Sequence, residues 1–193
     1  MSGRVVVIGV GNPFRRDDGA GPAVIEALRA RGRPAAELAV SDGDPGRLMD
    51  LWCPADTVVV AEAVYARPGR PGRLHTVRAD RAARLAAGTA STHGFGLAET
   101  VALAAALERL PRVLVVHAVE GADFGVGAGL SAPVRAALPA LVRLVADSLR
   151  AAHRRMPGSP GTAGAGCAAR RQNHTPSGAN TAAIPRRPPP PSG

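Results

Sequence analysis

The stretch that decides the fold is RVVVIGVGNPFRRDDGAG, residues 4–21. It opens with a β-branched run, Arg4–Val10, typical of strands that are buried on both faces of a parallel sheet. A polar turn follows, and Gly21–Arg31 then places apolar residues at helical spacing ahead of Gly32, a helix stop. A buried strand that leads through a polar turn into a helix predicts the first unit of an α/β protein.

The rest of the chain continues this alternation. We predict further strands at Glu37–Ser41, Thr57–Val64, Arg73–Val77 and Arg112–Val119, and helices at Arg47–Trp52, at Leu97–Arg109 and from an N-cap at Ser131 through Val134 to Leu149. Arg73–Val77 is expected at a sheet edge, and Pro139 should kink or break the last helix. The order predicts a three-layer α/β/α sandwich, phosphorylase/hydrolase-like, with a mostly parallel twisted sheet of about five strands.

The last forty residues differ in kind from the rest. The formal net charge is +9, all basic side chains are Arg, and residues 154–193 contain six Arg, eight Pro and no acid. Such a segment cannot bury enough apolar surface to offset its ordering entropy. We therefore predict one domain over residues 1–153 and a disordered tail over residues 154–193, either passive or a ligand for another protein.

Several functional classes are disfavoured by composition. The basic charge belongs mainly to the tail and aromatic residues make up only 3% of the chain, which argues against nucleic-acid binding. No apolar run reaches membrane-spanning length and no secretory signal is visible. Two cysteines, Cys53 and Cys167, form neither a disulfide framework nor a Cys-rich metal site. We expect a cytoplasmic protein, with nothing that demands more than a monomer.

The polar turn after the first strand admits two interpretations. Gly9 and Gly11 between a strand and a helix suggest a dinucleotide fingerprint, with Asp42 as the ribose ligand. However, Phe14 stands where the third glycine belongs. Asp17 and Asp18 would also repel a diphosphate at the helix N-terminus, where backbone N–H groups should attract it. A nucleotide site is therefore disfavoured.

Three polar segments are expected at the carboxyl ends of the strands, where ligands sit in open parallel sheets. One of the acids Asp17 and Asp18 is expected to cap the helix, which leaves the other for function. Glu62 lies near the end of a strand without a polar face, where burial of an unpaired carboxylate is costly. We therefore expect Glu62 to lie exposed at the strand end, to pair with an arginine or to bind a cation. Together, Asp18, Glu62 and His93 form a set of two carboxylates and one imidazole that suits Ni, Zn or Fe.

The other polar residues are interpreted as structural. His117 lies in the apolar run VLVVHAVE and is predicted to be a core or strand-end histidine, while Glu120 at the end of that run is interpreted as a loop acid. His75 is expected to be solvated on the edge strand. No G-x-S-x-G nucleophile elbow occurs.

The chain resembles the hydrogenase maturation proteases over roughly residues 4–150. The resemblance rests on VVVIGVGNPFRRDDGAGPAVIEAL, SDGDPGRLMDLW, TVVVAEAV, STHGFGLAETV and AVEGADFGVGAGLS, which occur in the order of the family. These proteins are endopeptidases that trim the C-terminus of the nickel–iron hydrogenase large-subunit precursor. The family's metal-contacting residues match Asp18, Glu62 and His93, and the acid of its D-G-x turn matches Asp42. The family usually has Asp where this chain has Glu62.

The resemblance implies a hydrolase of the aspartyl type that reads nickel carried by its substrate, so the free enzyme can be metal-free. The resemblance implies attack by water, with either a carbonyl polarised by the metal or a metal-bound water, and with Asp42 or Asp18 as general base. Two other functions stay open. One is a nickel-sensing chaperone or inactive homologue that binds the precursor without cutting it, and the other is a dinucleotide-binding oxidoreductase.

Overall fold

The computed structural model describes residues 3–32, 35–78 and 97–155. In chain order these form β1 (Val5–Val10), a short 3₁₀ helix (Arg16–Gly19), α1 (Ala20–Ala30), β2 (Glu37–Ser41), α2 (Pro45–Trp52), β3 (Thr57–Val64), β4 (Leu74–Arg78), α3 (Leu97–Ala106), β5 (Val113–Glu120) and α4 (Ala132–Arg154). The predicted order of strands and helices is confirmed, and the predicted bounds of β2 and β3 match those observed.

The five strands form one sheet in the order β2-β1-β3-β5-β4. The first three pairings are parallel, and β4 runs antiparallel to β5 at the edge, as expected for its sequence. Gly9 pairs with Ala61 on β3, and Val10 pairs with Ser41 on β2. The carboxyl ends of β1 and β2 therefore lie at one level, and β3 continues to Val64 along the same edge of the sheet.

Alternate side chains along the strands pack into two separate hydrophobic cores, one on each face of the sheet. The protein is therefore a three-layer α/β/α sandwich. On one face, Val59 and Ala61 pack with α1 and α4. On the other face, Val58 and Val60 pack with α2, including the fully buried Trp52, and with α3. Because strand side chains alternate between faces, Glu62 is directed to the face covered by α2 and α3.

The paired glycines of the opening stretch serve backbone packing. A Cβ on Gly9 would lie 2.3 Å from the carbonyl oxygen of Gly21, and a Cβ on Gly21 would lie 2.3 Å from that of Val10. Gly11 has a φ of +130°, and a Cβ there would lie 1.9 Å from the carbonyl oxygen of Asp18. Close approach of β1, α1 and the intervening turn thus accounts for the glycine pattern without a nucleotide.

The break that the sequence allowed at Pro139 does not occur in the helix after Ser131. Pro139 lies inside α4, and the helix continues unbroken from Ala132 to Arg154. Buried residues on both sides of the proline, among them Val134 and Leu141, hold the two halves on the same core. This packing offsets the backbone hydrogen bond that proline cannot donate.

Two further sequence predictions concern the tail and membrane-spanning helices. The predicted tail falls almost wholly on residues 156–193, which lie outside the described part of the chain. Within the described ranges, none of the helices is both long enough and apolar enough to cross a bilayer.

Candidate functional site at the carboxyl edge of the sheet

The turn that follows β1 folds tightly around Asp18. One oxygen of its carboxylate, Oδ2, accepts a hydrogen bond from the backbone N–H of Asn12 at 3.0 Å. The 3₁₀ helix that carries Asp18 packs against β3. The Asp18 carboxylate is half-buried and is thus placed at the carboxyl edge, beside the end of the central strand.

Glu62 lies on β3, the strand that the 3₁₀ helix of Asp18 packs against, and its side chain is half-buried. Burial, with a further contribution from the negative charge of Asp18, raises the pKa of Glu62 to about 7. Within the described residues, no arginine forms an ion pair with Glu62. Two carboxylates that repel each other in this way gain from a shared cation, because its charge would stabilise both ionised forms.

Asp42 follows β2 on the other side of β1. It is exposed, and its Oδ1 accepts a hydrogen bond from the backbone N–H of Asp44 at 3.3 Å. Ser41, which precedes Asp42, is hydrogen-bonded to the turn after β1, because the N–H of Gly11 donates to the carbonyl oxygen of Ser41 at 2.8 Å. The structure therefore places Asp42 at the same edge of the sheet as Asp18.

His93 lies outside the described residues, as does the whole segment 79–96. The chain is described again from Leu97, the first residue of α3, which packs on the core that lies on the Glu62 side of the sheet. Among the described residues alone, no group of three or more His, Cys, Asp or Glu side chains could hold a metal ion. Of the three predicted ligands, the structure brings Asp18 and Glu62 together, and the place of His93 stays a prediction.

The sequence model of the family described as hydrogenase maturation protease matches residues 22–148, about two thirds of the chain. The chain belongs to the hydrogenase maturation protease family. The matched span includes Asp42, Glu62 and His93, whereas Asp18 precedes it.

Individual relatives agree with this family. The hydrogenase expression/formation protein HupD of Thiocapsa roseopersicina is 36% identical over 128 residues, which are 63% of this chain and 57% of HupD. HupM of Azotobacter chroococcum is 34% identical over 146 residues, 72% of this chain and 69% of HupM. The chain thus spans little more than half the length of the HupD relative.

Solved structures show the same architecture. The hydrogenase maturating endopeptidase HybD from Escherichia coli superposes with a TM-score of 0.66 at 25% identity, covering 77% of this chain and 93% of HybD. HybD from Thermococcus kodakarensis, with a TM-score of 0.60 at 22% identity, covers 76% of this chain and 98% of its own, and shows the fold alone. The predicted sandwich is therefore the fold of the hydrogenase maturation proteases.

Asp17, the other acid of the pair, does not cap the helix that follows it. The N-cap residue of that helix, α1, is Gly19, and no side chain caps the helix. The Asp17 carboxylate is instead fully buried and accepts hydrogen bonds from the N–H groups of Ala122, Asp123 and Ser131 and from the Ser131 hydroxyl, at 2.7–3.0 Å. Burial alone would raise the pKa of Asp17, but these hydrogen bonds outweigh it and lower the pKa. The expectation that one of the acids Asp17 and Asp18 caps this helix was wrong.

A second buried carboxylate at this edge of the sheet was interpreted only as a loop acid. Glu120 ends β5, is 3% exposed, and pairs with the Nε2 atom of His75 at 2.7 Å. It also accepts a hydrogen bond from the backbone N–H of Arg70, and together with the His75 contact this lowers the pKa of Glu120. The edge strand position of His75 was correct, but its imidazole is held by Glu120. The signal was the same as for Glu62, an acid that ends an apolar strand.

His117 is a core histidine, as predicted. It is 2% exposed, its Nδ1 lies 2.9 Å from the Thr76 hydroxyl and its Nε2 lies 2.8 Å from the Ser148 hydroxyl. Burial lowers the pKa of His117 to about 4. A neutral imidazole bridges β4, β5 and α4 and is occupied in the core, away from the candidate site.

Proposed function

We propose that this protein is an endopeptidase that removes the C-terminal extension of a nickel-loaded nickel–iron hydrogenase large-subunit precursor. The observation that carries the proposal is the pair Asp18 and Glu62, brought to one edge of the sheet in a member of the hydrogenase maturation protease family. The similarity to the hydrogenase maturating endopeptidase HybD from Escherichia coli supports peptide-bond cleavage as the chemistry.

In this proposal nickel arrives as part of the substrate. Asp18 and Glu62 supply two oxygen ligands, and His93 supplies the imidazole. Oxygen and imidazole donors suit divalent first-row metals, so the residues fit this cargo. Glu62 is one methylene longer than the Asp that the family usually has, and it reaches further from β3. Its proton must leave when it binds the metal, so recognition strengthens as pH rises through about 7.

Cleavage itself requires an activated water and a polarised carbonyl. The metal carried by the substrate provides the polarisation, and a nearby carboxylate accepts the proton from water. Asp42 is the candidate general base because it is exposed and follows β2, the strand next to the one that leads to Asp18. Asp18 is the other candidate, and it would have to combine this role with metal contact.

The experiment is an intact-mass measurement of a nickel-loaded large-subunit precursor after incubation with the protein, beside a nickel-free precursor. We expect loss of a discrete C-terminal peptide in the loaded sample only. Asp18→Asn and His93→Ala should keep the fold and abolish processing, while Glu26→Gln, on the exposed face of α1, serves as the matched control. Wild-type rates in both site variants would contradict the proposed roles.

The same experiment separates the alternatives. Stable binding of the loaded precursor without any loss of mass would indicate a nickel-sensing chaperone or an inactive homologue, and Glu62→Asp would then test whether the longer acid is responsible. A bound nicotinamide cofactor would indicate the oxidoreductase, which the glycine packing of the first turn disfavours. Monomeric state and cytoplasmic location stay predictions.

A further inference from the structure

Exposed apolar side chains gather around the candidate site. Phe14 is 72% exposed, Tyr65 is 42% exposed and Val126 is 91% exposed, and each lies in a loop at the carboxyl edge of the sheet. With the half-buried Phe124, we call these four side chains the apolar rim. Single exposed apolar residues are ordinary, but a group of them around a functional edge marks an interaction site.

The members of the apolar rim belong to segments that contact each other. The carbonyl oxygen of Phe14 accepts a hydrogen bond from the N–H of Gly127 at 2.8 Å, next to Val126. The rings of Tyr65 and Phe124 meet edge to face, with their centroids 6.2 Å apart. The three loops thus form one continuous surface.

This surface is held in shape although its side chains are exposed. The loop that carries Phe124 and Val126 is fastened by the buried carboxylate of Asp17 at both of its ends, residues 122–123 and residue 131. A hydrogen bond from the N–H of Arg16 to the carbonyl of Gly127 at 2.8 Å adds to this. Apolar groups that are ordered before binding lose little entropy when a partner arrives, which favours affinity.

Arginines flank the apolar rim. Arg15 is exposed and donates to the carbonyl of Phe124, while the guanidinium of Arg67 lies 5.1 Å from the centre of the Tyr65 ring. The acids Asp17 and Glu120 on the same loops are buried and satisfied by local donors. One exposed acid, Asp123, lies on the rim loop, and its carboxylate is 3.9 Å from the guanidinium of Arg16. Arg15 and Arg67 therefore leave the rim with a net positive charge, which is complementary to a carboxylate on the partner.

We propose that the apolar rim, with Arg15 and Arg67, docks a polypeptide segment of the substrate that carries apolar side chains next to a carboxylate. This rests on the proposed function, in which the substrate is the hydrogenase large-subunit precursor. Asp17, which fastens the rim, is the chain neighbour of Asp18. A segment lying across the rim therefore has its backbone beside the candidate site, where the bond to be cut must lie.

The test compares Val126→Glu with Leu107→Glu. Val126 and Leu107 are both exposed, but Leu107 lies in the connection to the start of β5, at the opposite edge of the sheet. Cleavage of the nickel-loaded precursor is followed as a function of its concentration. Val126→Glu should raise the half-saturating concentration by about tenfold or more and leave the maximal rate within about twofold, because the rim binds substrate and does not react. Leu107→Glu should match the wild type.

A second variant tests the charge. Arg15→Glu should raise the half-saturating concentration, and added salt should raise it more for the wild type than for this variant. Phe14→Ser replaces Val126→Glu if the latter does not fold. Wild-type half-saturation in the folded rim variants would overturn the proposal.

Direct binding keeps this proposal separate from the proposed function. If the wild type binds the loaded precursor without cutting it, the endopeptidase proposal fails. The rim is then tested by the dissociation constants of Val126→Glu and Leu107→Glu for the same precursor. Equal dissociation constants would overturn the rim, and so would a wild-type protein that does not bind the precursor.

Discussion

Ser131 donates two hydrogen bonds to the carboxylate of Asp17, from its N–H to Oδ1 at 2.7 Å and from its hydroxyl to Oδ2 at 2.8 Å. Ser131 is the N-cap residue of α4, but its hydroxyl does not cap that helix. The contact instead fastens the start of the last helix to the turn that carries Asp18. The position of a candidate ligand from the first turn therefore depends on a loop near the end of the domain.

Replacing Asp17 by Asn should destabilise the protein by about 2–4 kcal/mol, because one amide oxygen cannot satisfy the four donors around it. Urea unfolding at neutral pH measures the change, and Asp123→Asn at an exposed neighbouring position is the control. Equal loss in both variants would contradict the anchoring role.

The same substitution should change the acid limb of stability. The pKa of Asp17 is lower in the folded protein than its ordinary value of 3.8, so the unfolded chain binds more protons in that range. The carboxylate stabilises the fold above pH 3.8, and this contribution is lost as pH falls through the folded pKa. Asp17→Asn should therefore lose less stability on acidification than the wild type does.

Glu62 should give the free energy of unfolding the opposite dependence on pH. Its pKa is raised from 4.5 to about 7, so the folded protein binds more protons than the unfolded chain between these values. The free energy of unfolding should fall as pH rises through that window and level off above it, by at most about 3 kcal/mol. Glu62→Gln should remove this slope, whereas Glu26→Gln on the exposed face of α1 should not. Chemical unfolding at several pH values checks it, and an unchanged slope in Glu62→Gln would show that another group is responsible.

His117 should make the fold sensitive to acid. Its pKa is lowered from 6.5 to about 4, so the unfolded chain binds the extra proton first as pH falls. Stability should be complete above pH 6.5 and should decline between 6.5 and about 4, by roughly 3 kcal/mol. His117→Gln removes the titration. A wild-type acid slope in that variant, measured by the thermal midpoint against pH, would contradict the assignment.

Gly9→Ala should destabilise the protein by more than about 3 kcal/mol, because the new Cβ would lie 2.3 Å from a backbone oxygen of Gly21 and neither backbone can retreat within the sandwich. Gly32→Ala is the control, since a Cβ there meets nothing within 4 Å, although its φ of +104° carries a smaller cost. Unfolding free energies that rank these variants in the reverse order would contradict the packing role.

Truncation after Arg155 should leave folding and processing normal. The buried core ends at Ala152 on α4, so the cut removes none of the core residues that the structure describes. Thermal unfolding and the precursor assay measure the outcome. A lower midpoint or a slower cleavage would assign a role to residues 156–193.

Much of the fold was predictable because the signals are local. The predicted bounds of β2 and β3 are those observed, and the helical spacing of apolar residues identifies α1 and α4. Pro139 shows where a local rule gives way, since tertiary packing on both sides keeps α4 continuous. The arrangement of Asp18 beside Glu62 was also predictable, because parallel strands end at a common edge.

By itself the sequence determined the α/β layering, the edge at which the polar residues meet and the family resemblance, because each depends on periodicity or motif along the chain. Only the tertiary structure decided what the buried acids do. Asp17 meets donors 105–114 residues away, and Glu120 meets partners 45 and 50 residues away. Such contacts depend on how loops from separate strands come together, which local propensity does not encode.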